Sequence, residues 1–159
     1  MLRRSFLMSL AALGLSSAGV QARTVASRDF RTADLMTGGF ALMSSQIALN
    51  QTANPDLINF ANAEIAEQVQ VAAALGAAPG SAPLRADHAL LVTQLQQARG
   101  SAFDRMYVQG QLRGHRELLA LNDAALRAGS DPQAQQVAQM SLPIIQRHLA
   151  ILNGLRAVA

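Results

Sequence analysis

The chain has 159 residues, which fits one domain with enough sequence to bury a core. Half of the residues are apolar and only 4% are aromatic, and there is no cysteine, so disulfides, thiolate sites and lipid-modified cysteines are excluded. All 13 basic residues are arginine, and they are scattered among 10 acidic residues with no basic run that could lie along phosphates. These features exclude a nucleic-acid-binding protein.

Residues 1–22 have the pattern of an export signal. Arg3 and Arg4 provide the positive start, Phe6–Val20 is a short apolar run, and Val20-Gln21-Ala22 offers small residues for cleavage. The pattern predicts a periplasmic protein that is cleaved near Ala22 and has no transmembrane segment in its mature part. The arginine pair is typical of both twin-arginine and general secretory leaders, so both routes stay open.

The rest of the chain is expected to be helical after an extended lead-in over residues 23–30. Alanine, leucine and glutamine dominate the composition, apolar residues recur at helical spacing, and Gly and Pro clusters mark the breaks. The pattern predicts four long helices and one short one, over Thr32–Thr52, Pro55–Leu75, Ala86–Gln97 (the short helix), Ser101–Ala128 and Asp131–Ala157.

Three breaks determine the expected connections. Asn54-Pro55 separates the first hairpin's helices, Gly76–Pro83 is a loop, and Gly129 to Pro132 combines a helix stop with a helix start. Pro143 should bend the last helix. Two hairpins joined by a loop and a short helix predict an all-α, ferritin-like antiparallel four-helix bundle over residues 31–157, with the extra helix in the crossover.

Polar residues interrupt the apolar face of each long helix. At spacings of four and seven they fall on single faces, and they comprise Gln46 and Asn50, then Glu64 and Gln68, then Asp104, Gln111, His115 and Asn122, and finally Ser141 and His148. The sequence contains no Glu-x-x-His pair, which excludes a dinuclear carboxylate site of the bundle type.

Two interpretations of these polar residues stay open. In one, the inward Gln, Asn, His and Glu side chains bond one another and fix the register of the helices, with no cofactor. In the other, Glu64, His115 and His148 hold one divalent ion as a two-histidine, one-carboxylate set. His88, beside Asp87 on the short helix, is expected to be a solvated surface residue. Gly110 and Gly114 are expected to let a neighbouring helix approach closely.

The stretch FDRMYVQGQLRGHRELLAL from Phe103 to Leu121, followed by Leu142-Pro143 and His148-Leu149, resembles a bacterial family catalogued as domain of unknown function 4142. The likeness covers about Asp29 to Leu155. It implies an exported, ferritin-like helical protein of a kind often labelled an outer membrane protein, with no established activity. Where the family often has an Asp-His pair and first-helix glutamates, this chain has Glu67 and Gln68, and Ala41 and Met43.

Three functions are compatible with the sequence, and the third is a membrane-surface protein held by an uncleaved leader. The first is a non-catalytic periplasmic protein that binds an envelope partner or acts in envelope maintenance. The second is a mononuclear metal-binding or redox protein that uses Glu64, His115 and His148. The sequence identifies neither the partner nor the oligomeric state.

Overall fold

A computed structural model describes residues 16–129 and 131–156, with side chains from Asp29 onward. The described residues form five helices and no strand, which confirms the predicted all-α class: α1 (Ser16–Gln51), α2 (Pro55–Ala74), α3 (Ala86–Gln97), α4 (Gly100–Ala128) and α5 (Pro132–Arg156). Most of the predicted leader, residues 1–15, lies outside the described residues. Within the described part, no helix combines the length and the apolar character that crossing a membrane requires.

The extended lead-in predicted over residues 23–30 is wrong, because α1 is already helical there. The segment between Gly19 and Gly38 contains no Pro or Gly that would interrupt a helix. Phe30 also anchors this end of α1, since it is buried in an apolar cluster with Val71 and Leu75 of the first hairpin. Burial of that ring holds the residues around Phe30 in the helix.

The other helix boundaries follow local capping chemistry. The Asn54 side chain accepts a hydrogen bond from the backbone N–H of Asp56 at 2.9 Å and caps α2. Gly129 ends α4 in the left-handed conformation at a φ of 62°, which glycine adopts without steric cost. Asp131 then accepts from the backbone N–H of Gln133 at 2.9 Å and caps α5.

The long helices pack around a common interior. α1 packs against α2 and α4, while α5 packs against the same two helices, and α3 lies against α1 and α4. The main core cluster includes Leu57, Phe60, Phe103, Tyr107 and Leu152, all fully or nearly fully buried. Such side chains contribute about 1.5–3 kcal/mol each when they leave water, and they fix the helix faces that carry the polar residues.

Gly110 and Gly114 lie where α1 crosses α4, as the sequence indicates. A Cβ atom at Gly110 would come within 3.2 Å of the Phe40 ring, and one at Gly114 within 3.4 Å of it. Because glycine has no side chain, these two positions let the Phe40 ring pack directly on the backbone of α4.

His88 is buried, so its prediction as a solvated residue is wrong. Its ring stacks on Phe40 with a centroid distance of 4.4 Å, and only 1% of the residue is exposed. Above it, Arg85 contacts His88 Nε2 at 3.0 Å and bonds Glu117 at 2.8 Å. The buried imidazole therefore joins α3 to Phe40 of α1 and Glu117 of α4. This tertiary contact could not be predicted from the sequence of α3 alone. Burial, followed by the charge of Arg85, lowers the pKa of His88.

Candidate metal centre

Glu64, His115 and His148 come together in the interior from three different helices, α2, α4 and α5. Each is no more than 2% exposed. Glu64 Oε2 lies 3.0 Å from His115 Nε2 and 2.9 Å from His148 Nδ1, and the two ring nitrogens are 3.1 Å apart. Three atoms that can each ligate a metal therefore form a nearly equilateral triangle, and we call these three residues the triad.

The backbone determines which nitrogen of His115 faces the triad. His115 Nδ1 lies 2.9 Å from the carbonyl oxygen of Gln111, one turn earlier on α4. A carbonyl oxygen only accepts, so Nδ1 carries a proton and donates it there. Neutral His115 consequently directs the lone pair of Nε2 toward Glu64, the orientation that metal-bound histidines receive from a partner on their other nitrogen.

Glu67 orients His148 in the same way. His148 Nε2 lies 3.1 Å from Glu67 Oε2, and the other oxygen of that carboxylate accepts from Arg147 at 3.0 Å. When Nε2–H donates to Glu67, the lone pair of Nδ1 faces the triad. From the sequence, Glu67 was noted only as a departure from the pattern of the family that the chain resembles. Its position three residues after Glu64, on the same helix face, is the signal that could have identified it.

Gln68 holds the remaining oxygen of Glu64. Its Nε2 donates to Glu64 Oε1 at 2.9 Å, which leaves Oε2 directed at the two histidines. Gly38 of α1 makes room for this amide, because a Cβ atom there would come within 2.3 Å of Gln68 Oε1. Gly38 of α1 thus leaves the space that the Gln68 amide needs to bond the Glu64 carboxylate.

The triangle has a geometry that a metal ion or a hydrogen-bond network could use. With both outer nitrogens donating outward, three lone pairs converge on one point, and a single proton can serve only part of the three contacts. A metal ion with ligand distances of about 2.1 Å and right angles between ligands needs ligand atoms about 3.0 Å apart. The observed edges of 2.9, 3.0 and 3.1 Å are close to that spacing, and they are also ordinary hydrogen-bond lengths. The two-histidine, one-carboxylate set with open positions is a recurring mononuclear transition-metal site.

Electrostatics in the metal-free protein couple the triad tightly. Burial on its own would raise the pKa of Glu64, but the charges and hydrogen bonds of His115 and His148 outweigh burial and hold it well below its usual range. Burial lowers the pKa of His115, and the Glu64 carboxylate more than reverses this, so the net shift is upward. A proton on His115 therefore competes with a metal ion for the same place.

The other residues predicted for a polar core network divide into inward and outward ones. Gln111 is fully buried, and its Nε2 lies 3.0–3.1 Å from the Ala41 carbonyl and the Ser44 and Ser45 hydroxyls, which share its two hydrogens. Ser45 continues this network to the Tyr107 hydroxyl at 2.8 Å, and burial raises the pKa of that phenol.

Gln46 and Asn50 were predicted to point inward and are exposed, so their placement in the network is wrong. The Asn50 amide bonds the backbone of Gln46 instead of another helix. In this part of α1, the side chains that face the interior are Ser44, Ser45 and Ala48. The inward face is thus displaced by one residue from the face that the sequence predicts. Asp104 is only partly buried, and its Oδ1 has no hydrogen-bond partner among the described residues.

A second polar layer lies nearer the α4–α5 turn. Asn122, fully buried, donates its amide to Asp34 Oδ2 at 3.0 Å and to the Leu118 carbonyl at 2.9 Å. Burial raises the pKa of Asp34 to about 6, and the Asn122 hydrogen bond lowers it by a smaller amount. A narrow cavity that offers about 20 Å³ to water centres, room for about one water, touches Asp34, Asn122 and Ser141 as well as both histidines.

Comparison with known proteins places the chain in one family. A family model described as "Domain of unknown function (DUF4142)" matches residues 15–155, which includes all three triad residues. No curated protein and no solved structure matches the chain.

Proposed function

The chain belongs to the family described as domain of unknown function DUF4142, and we propose that it is an exported helical protein that binds one divalent transition-metal ion through Glu64, His115 and His148. The observation that carries the proposal is the triangle of ligand atoms with edges of 2.9–3.1 Å. Nitrogen-rich ligand sets of this kind suit Zn²⁺, Fe²⁺ and Co²⁺.

Two features support metal binding over a purely structural polar network. Both imidazoles have their outer nitrogens fixed, one by a carbonyl and one by the Glu67 carboxylate, so their inner lone pairs converge. The three ligands also leave open coordination positions, and the cavity beside His115 and His148 offers space for water there. The proposal assigns ion binding to the protein and assigns no reaction.

We further propose that the four long helices form a ferritin-like antiparallel bundle with α3 in the crossover. Each long helix packs against two others in the order α1, α2, α5, α4, which supports a closed ring of four. In bundles of this kind, metal ligands project inward from facing helices, as the triad does here. The difference from the dimetal version is the number of carboxylates, since one glutamate and two histidines suffice only for one ion.

Metal titration of chelator-treated protein tests the proposal. We expect the wild type to bind one equivalent of Zn²⁺ or Co²⁺ by calorimetry, and we expect Glu64→Gln and the double variant His115→Ala/His148→Ala to lose at least 100-fold in affinity. His88→Gln is the matched control, because it changes the third buried histidine outside the triad. Equal Zn²⁺ binding by Glu64→Gln and wild type, or none by the wild type, would leave the polar-network interpretation standing.

Export is tested separately at the N-terminus. Arg3, Arg4 and the apolar run after them support a cleaved leader. Mass spectrometry of the protein from a periplasmic extract should give a mature chain that begins at Arg23. A chain that keeps residues 1–22 in the membrane fraction would contradict a cleaved, periplasmic protein.

A further inference from the structure

The triad has different neighbours on its two sides along the bundle. On one side the buried Phe60 ring packs on both imidazoles, with ring-centroid distances of 4.9 Å to His148 and 6.0 Å to His115. An aromatic ring in this position offers no ligand atom and leaves no room for one. A further ligand of an ion at the triad must therefore approach from the opposite side.

The narrow cavity lies on that opposite side. It touches both histidines, and its other lining residues follow the triad residues on α2 and α4 and precede the triad residue on α5. Because α4 and α5 are antiparallel, these residues all lie nearer the α4–α5 turn than the triad does. The open coordination positions of the ion thus face the cavity.

The size and polarity of the cavity limit what it can hold. It offers about 20 Å³ to the centre of a water molecule, and the larger part of its wall is apolar, formed by Val71, Leu118, Ile144 and Ile145. Apolar cavities in proteins bind apolar guests of matching size. A molecule of two heavy atoms is about as wide as water and fits this space, whereas an organic substrate of several carbons does not.

The charges around the cavity disfavour an anion. Its lining includes the carboxyl groups of Asp34 and Glu67 and no arginine, and Arg147, which bonds Glu67, lies outside the lining. Together with Glu64, these carboxylates offset the charge of a divalent ion. A small anion would therefore lose its hydration on entering and meet no net positive charge, whereas a neutral molecule avoids both costs.

We propose that an ion held by the triad binds a neutral diatomic molecule, of the size and polarity of O₂ or NO, in the apolar cavity. This inference rests on the metal site of the proposed function and adds the class of its exchangeable ligand. The diatomic molecule displaces the water on the ion, and the apolar wall favours this exchange because it offers that water few hydrogen bonds. Binding is reversible coordination, with no transfer of electrons or protons.

Nitric oxide is the probe, because it binds Fe²⁺ and gives an electron paramagnetic resonance signal that Fe²⁺ alone lacks. Full-length mature protein is treated with chelator and loaded with one equivalent of Fe²⁺ without oxygen, and its iron content is measured before NO is added. We expect a nitrosyl signal in proportion to the bound iron. We expect the small anion azide to leave the absorption spectrum of the Co²⁺-loaded protein unchanged.

Substitutions at the cavity wall test where the molecule binds. Val71→Phe fills the cavity from α2 without changing a ligand of the ion, and it should weaken NO binding roughly tenfold while the iron content stays the same. Val69→Phe is the matched control, since the same substitution two residues earlier falls on the exposed surface and should leave NO binding unchanged. Ile145→Ala widens the cavity and should raise the association rate of NO severalfold, so the test does not depend on the folding of Val71→Phe.

The outcomes separate this inference from the metal site on which it rests. Iron bound to the wild type without a nitrosyl signal would overturn this inference and leave the metal site standing. Absence of bound iron would overturn the metal site and this inference with it. Equal NO binding by Val71→Phe and Val69→Phe, an unchanged association rate in Ile145→Ala, or a change in the Co²⁺ spectrum with azide would also overturn it, because the ligand would then bind elsewhere or carry charge.

Discussion

Glu64 Oε2 lies 2.9 Å from His148 Nδ1, although the two residues are 84 positions apart in the sequence and belong to different helices. This contact joins the first hairpin of the protein to the second. Gln68 holds one side of the carboxylate and Glu67 the far side of the imidazole, so the pair is positioned from both ends. The interior is organised around a glutamate that binds two histidines.

We expect Glu67→Gln to weaken metal binding without removing it. The carboxylate that accepts from His148 Nε2 fixes the orientation of the ring, and loss of such a partner costs about 10–100-fold in affinity. Competition with a chromogenic Zn²⁺ chelator measures the change. Glu117→Gln is the control, because Glu117 faces the buried His88 in the same manner at 3.5 Å. Unchanged affinity in Glu67→Gln would remove Glu67 from the site.

The metal-free protein should show a pH-dependent contribution from the triad. Because the pKa of Glu64 is lower in the folded protein than its ordinary value of 4.5, the ionised carboxylate stabilises the fold fully above about pH 4.5. This stabilisation is lost as the pH falls through the pKa that Glu64 has in the folded protein. Because the pKa of His115 is higher in the folded protein than its ordinary value of 6.5, protonated His115 stabilises the fold fully below about pH 6.5. This stabilisation is lost as the pH rises through the pKa that His115 has in the folded protein. Both contributions are complete between pH 4.5 and 6.5.

Denaturant unfolding of wild type and Glu64→Gln in the presence of chelator checks this dependence. Breaking a buried ion pair costs about 3–5 kcal/mol, so the difference in unfolding free energy should be of that order in the window and smaller on either side. With Zn²⁺ added, the wild type should gain stability as pH rises through the raised pKa of His115, since the competing proton then leaves the ring. A difference that is independent of pH would show that the triad carries no coupled charge.

Ionisation of Asp34 should destabilise the metal-free protein, whereas ionisation of Glu64 stabilises it. Its pKa is raised to about 6 from an ordinary 3.8, so the folded protein loses stability as pH rises between these values. Two units correspond to about 3 kcal/mol, and Asp34→Asn should remove this loss while its amide oxygen still accepts from Asn122. Unfolding curves at pH 4 and pH 7 in chelator compare the two proteins. A pH dependence that survives the substitution must arise from another group.

His88→Ala should destabilise the fold without affecting the metal. The imidazole stacks on Phe40 and fills the contact between α3 and its neighbours, so its removal leaves a cavity that costs about 3 kcal/mol. Leu90→Ala on the exposed face of α3 is the control, and it should change stability by less than about 0.5 kcal/mol. Thermal unfolding measures both. Loss of Zn²⁺ stoichiometry in His88→Ala would mean that α3 supports the triad directly.

The sequence predicted those features that depend on local chemistry. Asn54-Pro55 and the Gly129 to Pro132 segment identified helix ends, because caps and left-handed glycines act within a few residues. The seven- and four-residue spacings placed Glu64, Gln68, Gln111 and His115 inward, because the strong apolar residues around them define the helix face.

Features that depend on tertiary packing were not predictable in this way. Around Gln46 and Asn50, the inward face of α1 is lined with Ala and Ser. These small residues differ little in hydrophobicity from the polar residues beside them, so the predicted inward face was displaced by one residue. Asp34 was not among the predicted inward polar residues, although it is buried in α1. Burial of His88 depends on how α3 lies across α1 and α4, a contact that no local pattern encodes.

X-ray absorption spectroscopy of the protein loaded with one equivalent of Zn²⁺ tests the central claim most directly. We expect two imidazole ligands, recognisable by their multiple scattering, and one carboxylate oxygen at about 2.0–2.2 Å, with water completing the shell. Glu64→Gln, prepared in the same way, should give a different first shell. A wild-type spectrum with oxygen ligands alone and no imidazole scattering would contradict the assignment of Glu64, His115 and His148 as the metal centre.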